Sequence, residues 1–160
     1  MRTLDGVVRP YAWGSRTAIA SLRGMPTPSP HPAAELWFGA HPAAPAHCVD
    51  GGAGEDLLTV IDGDPAGQLG AHCADRFDHR LPFLLKVLAA EEPLSLQAHP
   101  TKEQARAGFA RENAAGIPVD APNRNYRDDN HKPELVVALS ELHALAGFRD
   151  PAVTVELLRA

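Results

Sequence analysis

Residues 81–100 carry the main structural signal of this chain, and they read LPFLLKVLAAEEPLSLQAHP. Two short apolar segments, 83–89 and 94–99, lie on either side of the four residues AEEP. Apolar runs of this length around a four-residue connection are typical of an antiparallel β-hairpin. We therefore predict that the two segments pair with each other.

Short elements are predicted on both sides of this hairpin, because 15 prolines and 13 glycines divide the chain into brief segments. Apolar spacing and end signals predict a helix within 13–24, a strand at 35–42 and a helix at 55–65. Beyond the hairpin they predict a helix at 102–116 and a strand around 135–139. The fold class expected from these elements is mainly β with inserted helices.

Capping residues mark the starts of three helices. Ser15 offers a hydroxyl to the free N–H groups at the start of the first one. Thr101 and Gln104 have the spacing of a capping box. Asp150 followed by Pro151 begins a final helix. That helix reaches the end of the sequence without a stop signal, so we expect the chain to be part of a larger protein.

The composition is that of a mildly acidic globular protein of one domain, with 160 residues, 44% hydrophobic residues and a net charge of -5. We expect no nucleic-acid partner, because phosphate binding requires a basic stripe. We expect no membrane span, because no apolar run approaches the roughly 20 residues that a bilayer requires. The first residues lack the apolar region of a signal peptide, which predicts a cytoplasmic location. Cys48 and Cys73 form no CxxC pair and are predicted to be free thiols.

Three polar residues share one face of the second hairpin strand. Ser95, Gln97 and His99 alternate with apolar residues, so their side chains project to the same side of an extended chain. A solvated strand face is the ordinary explanation of such alternation. Short neutral donors and acceptors are, however, unusual on an exposed face, which favours an interior polar cavity.

A metal ion is one use for this face. Gln97 and His99 stand two positions apart ahead of a proline, and zinc accepts imidazole nitrogen together with amide or carboxylate oxygen. Glu134 offers a carboxylate where an apolar strand begins, and metal ligation would compensate its charge. A hydrogen-bonded or surface histidine and an edge ion pair of Glu134 are the alternatives that the sequence leaves open.

Lys86 interrupts the apolar run FLLKVL, where an uncompensated ammonium group would be costly. If the hairpin pairs Ala89 with Leu94, then Lys86 lies opposite Gln97 on the same face. The side chain would then reach an anionic ligand or a carboxylate. A lysine that extends to water at an exposed edge is the alternative.

Three separated segments, AELWFGAHP, LPFLLKVLAAEEPLSLQAHPTKEQA and NYRDDNHKPELVVAL, resemble the type I mannose-6-phosphate isomerases in their order and content. YAWGS and ALAGFR fit the same family. The resemblance implies one zinc ion per chain, held by Gln97, His99, Glu134 and a histidine much further along, which has no counterpart in this sequence. It also implies a cupin-like antiparallel barrel, of which 1–149 would be the partial N-terminal catalytic domain. Residues 150–160 would begin a helical insertion.

The resemblance further implies interconversion of mannose 6-phosphate and fructose 6-phosphate through a cis-enediol, by a protein that we expect to be a monomer when full length. Lys86 or Ser95 would contact the phosphate or sugar, and Lys132 would supply electrostatic stabilisation. His131 is the candidate general base. The rival hypothesis is a non-catalytic cupin module that binds a sugar phosphate. A metal-dependent cupin oxygenase would carry an HxH pair, and the sequence has none.

Overall fold

The computed structural model describes residues 2–49 and 54–159. The chain forms two compact units, Met1–Leu96 and Gln97–Ala160. None of the described helices is both long and apolar enough to cross a membrane.

The described residues of the first unit, 2–49 and 54–96, form two small antiparallel sheets and four short helices. In chain order its elements are β1 (Leu4–Asp5), β2 (Val7–Arg9), α1 (Ala18–Leu22), β3 (Glu35–Phe38), β4 (His47–Cys48), α2 (Leu57–Gly63), α3 (Pro65–Leu69), α4 (Ala71–Arg76) and β5 (Leu85–Leu88). One sheet has the order β2-β3-β5 and the other pairs β1 with β4. Neither sheet of the described residues closes into a barrel.

The three-stranded sheet has one apolar and one polar face. Leu36 of β3 pairs with Val8 and Val87 of its two neighbours. These residues pack into a core with Ile19 and Ala89. Since side chains alternate along each strand, the opposite face carries the side chains next to them in sequence. The polar face therefore receives Arg9, Glu35, Trp37 and Lys86.

Helix ends in the first unit follow the local signals. Ser15 Oγ accepts from the backbone N–H of Ala18 at the start of α1, and Gly24 ends that helix with a φ of 65°. Asp56 caps α2 by accepting from Thr59 N at 2.8 Å. The helices α3 and α4 were not predicted from the sequence, although Asp64 followed by Pro65 is a recognisable start signal.

The second unit contains α5 (Lys102–Ala114) and α6 (Pro151–Arg159). The predicted capping box is confirmed, because Gln104 N donates to Thr101 Oγ1 and Thr101 N donates to Gln104 Oε1. Gly116 follows α5 with a φ of 69°. The predicted final helix is confirmed as α6, and Asp150 Oδ1 accepts from Ala152 N at 2.7 Å.

The predicted hairpin is wrong. Residues 85–88 form β5 in the predicted place, but β5 pairs with β3, and Lys86 lies opposite Trp37 rather than Gln97. Residues 93–100, all described, contain no strand, and the predicted strand around 135–139 is also absent. A strand requires a partner for its backbone groups, and the local apolar pattern does not reveal which partner it finds.

Candidate functional site

Gln97 and His99 are neighbours in the second unit without belonging to a strand. His99 Nε2 lies 3.4 Å from Gln97 Oε1, which is within hydrogen-bonding distance. The two side chains thus lie on the same side of the chain, although the strand predicted for them is absent.

Glu134 joins this pair from a distant part of the sequence. Its Oε2 atom lies 3.9 Å from His99 Nε2, and its Oε1 atom lies 3.1 Å from Lys132 Nζ. The carboxylate thus has one oxygen toward the imidazole and the other toward an ammonium group. The lysine offsets the negative charge and restricts the carboxylate's orientation.

The spacing of these donor atoms suits a single zinc ion. Zinc–ligand bonds of about 2.1 Å in a tetrahedron place neighbouring ligand atoms roughly 3.4 Å apart. The observed separations are 3.4 Å between Gln97 and His99 and 3.9 Å between His99 and Glu134. Within 2–49 and 54–159, no group of three or more His, Cys, Asp or Glu side chains could hold a metal, so an ion here would need the amide of Gln97 as a ligand.

The site is partly open to solvent. The side chains of His99 and Glu134 are 31% and 39% exposed, and Ser95 at the end of the first unit is exposed as well. The predicted interior cavity along 94–99 is therefore wrong for the structure described, because its polar and apolar residues are both exposed.

His131 lies in an exposed loop of the second unit. The pKa of Glu103, in the first turn of α5, is lowered by a hydrogen bond from its own backbone N–H and one from the Thr101 side chain. Coulombic interactions with Arg106 and His131 lower that pKa further. His131 is thus electrostatically connected with the beginning of α5, the helix that directly follows His99 and Pro100.

Lys86 is compensated by a carboxylate that the sequence did not single out. Its Nζ atom lies 3.6 Å from Glu35 Oε1 and 5.7 Å from the centre of the Trp37 ring. Trp37 Nε1 donates to Glu35 Oε2 at 2.7 Å. Glu35 is buried, with 7% exposure, so this hydrogen bond and the ammonium group satisfy a carboxylate that would otherwise be costly to bury.

A second buried polar group joins α5 to the segment that follows it. Arg124 Nε lies 3.0 Å from Glu112 Oε2, and the Arg124 side chain also donates to Asn113 Oδ1 and to the carbonyl oxygens of Ile117 and Tyr126. Glu112 accepts from the backbone N–H groups of Asn125 and Tyr126. We call Glu112, Asn113, Arg124, Asn125 and Tyr126 the Glu112 cluster.

Hydrogen bonding in this cluster lowers the pKa of Glu112. The hydrogen bond from the backbone N–H of Tyr126 lowers the pKa most. Hydrogen bonds from the side chain and the backbone of Asn125 and the charge of Arg124 lower it further, while burial raises it. Sequence reasoning missed this cluster because its partners are separated by about a dozen residues and follow no periodic pattern.

Residues 1–151 match the family described as phosphomannose isomerase type I, catalytic domain. The mannose-6-phosphate isomerase of Escherichia coli K12 is 51% identical over 161 residues, which cover 99% of this chain and 41% of that protein. The human mannose-6-phosphate isomerase is 37% identical over 164 residues, covering 98% of this chain and 36% of that protein.

A solved structure agrees with this relationship. Mannose 6-phosphate isomerase from Salmonella typhimurium, bound to its substrate fructose 6-phosphate and to zinc, superposes with a TM-score of 0.75 at 48% identity, covering 82% of this chain and 33% of that one. The chain therefore spans less than half the length of the relatives that it matches. The chain belongs to the type I phosphomannose isomerase family, as its match over residues 1–151 to the catalytic-domain family shows.

Proposed function

We propose that the complete gene product is a zinc-dependent isomerase that interconverts mannose 6-phosphate and fructose 6-phosphate. The observation that carries the proposal is the approach of Gln97, His99 and Glu134 within the second unit, at separations that suit one metal ion. The family relationship supports it, because a relative has been solved with zinc and fructose 6-phosphate.

In this proposal Gln97, His99 and Glu134 hold the zinc ion, together with a further ligand from outside this sequence. When bound, zinc would act as a Lewis acid that stabilises negative charge on the sugar oxygens. Two neutral ligands and one carboxylate leave the site with net positive charge, which suits an oxyanion. Lys132 adds a second positive charge beside Glu134.

The remaining roles fall to other side chains of this chain. A base must move a proton between C1 and C2 through a cis-enediol, and His131 is our candidate because histidine is the side chain that most often serves as a general base. Lys86 is the candidate phosphate contact, since Glu35 and Trp37 hold its ammonium group in place. Ser95 is the candidate sugar contact.

For the fold, we propose a partial cupin-like domain over 1–149 and the start of a helical domain over 150–160. The open antiparallel sheet of β2, β3 and β5 supports the first part. The cytoplasmic location and the monomeric state of the full-length protein remain predictions from the sequence.

The experiment is a zinc-dependent assay of the complete gene product with mannose 6-phosphate. We expect conversion to fructose 6-phosphate with zinc, none after chelation, and recovery when zinc is restored. In D2O, deuterium should enter the product at the carbon that exchanges its proton. Glu134→Ala should lose activity and zinc together, whereas Glu141→Ala, which alters an exposed carboxylate of the same unit, should lose neither.

A purified protein that holds stoichiometric zinc but converts no mannose 6-phosphate would overturn the proposal. Binding of the sugar phosphate without conversion would instead support the non-catalytic cupin module. Conversion that does not depend on zinc would show that the metal site is not required for the reaction.

A further inference from the structure

The candidate metal ligands lie at the two ends of one folded segment of the second unit. His99 stands just ahead of Thr101, the capping residue of α5, and Glu134 stands in the loop after Tyr126. Between them the chain runs along α5 and then returns through residues 115–126. The separation of the two ligands therefore depends on how firmly the returning chain is attached to the helix.

The Glu112 cluster makes that attachment. Tyr126 N donates to Glu112 Oε2 at 2.8 Å, and Arg124 Nη2 donates to Asn113 Oδ1 at 2.7 Å. The side chains of Arg124 and Glu112 are 0% and 8% exposed. Hydrogen bonds between charged groups are stronger than neutral ones and are weakly screened when buried, so the returning chain has a defined position on the helix.

The Tyr126 ring adds a steric contact to these hydrogen bonds. A methyl group on Gly108 of α5 would lie only 2.5 Å from Tyr126 Cδ2, so the ring packs directly on the helix backbone. Arg111 approaches the same ring, with its guanidinium carbon 5.9 Å from the ring centre. The position of Tyr126 is therefore determined by packing as well as by polar contacts.

The loop beyond Tyr126 is long enough to require such an anchor. Residues 127–134 are eight positions that can span up to about 28 Å when extended. A free loop of this length would allow Glu134 many positions away from His99. Fixing Tyr126, the residue just before the loop, reduces that range.

We propose that Glu112 and Arg124 are positioning residues for the candidate zinc site, which hold the start of the 127–134 loop so that Glu134 meets His99. This inference rests on the proposed function. It extends that function, because it assigns a role in metal affinity to the buried groups Glu112 and Arg124, which are not among the candidate ligands. A purely structural cluster would stabilise the fold without changing the affinity of the folded protein for zinc.

The first test measures zinc affinity by chelator competition in the complete gene product. Glu112→Gln keeps the side-chain volume but removes the charge. We expect it to raise the zinc dissociation constant about tenfold, which is the lower end of the effect typical of residues that support metal ligands. Asn113→Ala removes a single acceptor and should give a smaller change in the same direction. Glu141→Gln is the matched control in the same unit, and its dissociation constant should equal that of the wild type.

A spectroscopic readout separates positioning from folding. With Co²⁺ in place of zinc, the visible absorption reports ligand geometry, so Glu112→Gln should shift the spectrum of the folded fraction and Glu141→Gln should not. Unchanged affinity and spectrum in folded Glu112→Gln and Asn113→Ala would overturn the inference. A wild-type protein that binds no zinc would overturn the proposed function instead.

The last test requires no substitution, and so holds even if both variants fail to fold. Coupling between two sites is reciprocal, so zinc binding should slow amide hydrogen exchange at Asn125 and Tyr126. The amide of Leu36, in the sheet of the first unit, is the internal control. Equal exchange rates at Asn125 and Tyr126 with zinc and with chelator would count against a positioning role.

Discussion

Glu134 Oε2 lies 3.9 Å from His99 Nε2, although the two residues are far apart in the sequence. Both side chains are partly exposed. In the sequence, α5 and the chain that follows it lie between them. The relationship is the basis of the metal predictions, because a carboxylate and an imidazole at this separation can share one ion.

Removal of the imidazole should remove the metal. We expect His99→Ala and Gln97→Ala, each in the complete gene product, to lose the bound zinc by elemental analysis. His143→Ala is the control, because His143 is an exposed histidine of the same unit, with 89% side-chain exposure. Stoichiometric zinc in His99→Ala would exclude this residue as a ligand.

Substitution of His131 should affect the proton transfer and leave the metal in place. General bases typically contribute about 100- to 10,000-fold to rate, so His131→Asn should lower kcat by a factor in this range with normal zinc content. His143→Asn serves as the control. An unchanged kcat would require another base, and loss of zinc would indicate that His131 acts on the site rather than on the substrate.

Lys86→Met should raise KM for mannose 6-phosphate about tenfold or more, as expected when a hydrogen bond to a charged group worth about 1.5–3 kcal/mol is lost. The same change should destabilise the protein, because Glu35 is buried beside the ammonium group. Steady-state kinetics and denaturant unfolding measure the two effects separately. Lys102→Met, at an exposed position, should change neither KM nor stability. A normal KM in Lys86→Met would show that Lys86 does not contact the phosphate.

Gly108→Ala should destabilise the protein even though alanine favours helices. Overpacking against Tyr126 typically costs about 1–3 kcal/mol, while the gain in helix propensity is about 1 kcal/mol. We expect a net loss in the free energy of unfolding, measured with urea. Gly63→Ala in α2 meets no atom within 4 Å and should be neutral or stabilising. A stabilised Gly108→Ala would show that the Tyr126 ring moves aside readily.

The lowered pKa of Glu112 predicts a pH dependence of stability. Because the folded protein binds this proton less readily than the unfolded chain, the ionised carboxyl stabilises the fold at neutral pH. This contribution declines as pH approaches the ordinary pKa of 4.5 and is lost once pH falls below the lowered pKa in the folded protein. Glu112→Gln should therefore show a shallower loss of stability with acid than the wild type, in unfolding measured at several pH values. Parallel pH profiles would contradict this assignment.

The ends of helices and the contacts between side chains two to four residues apart could be predicted from the sequence, because they depend on local interactions. The capping box of Thr101 and Gln104 spans four residues, and the approach of Gln97 to His99 requires only an extended chain. Glu134 was a candidate because it places a carboxylate at the start of an apolar run, and the resemblance to a known family supported it, although no spacing rule brings it to His99.

The sequence by itself therefore determined α1, α2, α5 and α6, their capping residues and the chemical character of the candidate ligands, because these depend on contacts within a few residues. Only the tertiary structure decided that β5 pairs with β3, that Glu35 compensates Lys86, and that Glu112 accepts from the backbone N–H of Tyr126. Strand pairing and buried charge pairs join residues distant in sequence. The local sequence around such a residue fits many alternative partners equally well. Packing of the whole chain selects among them.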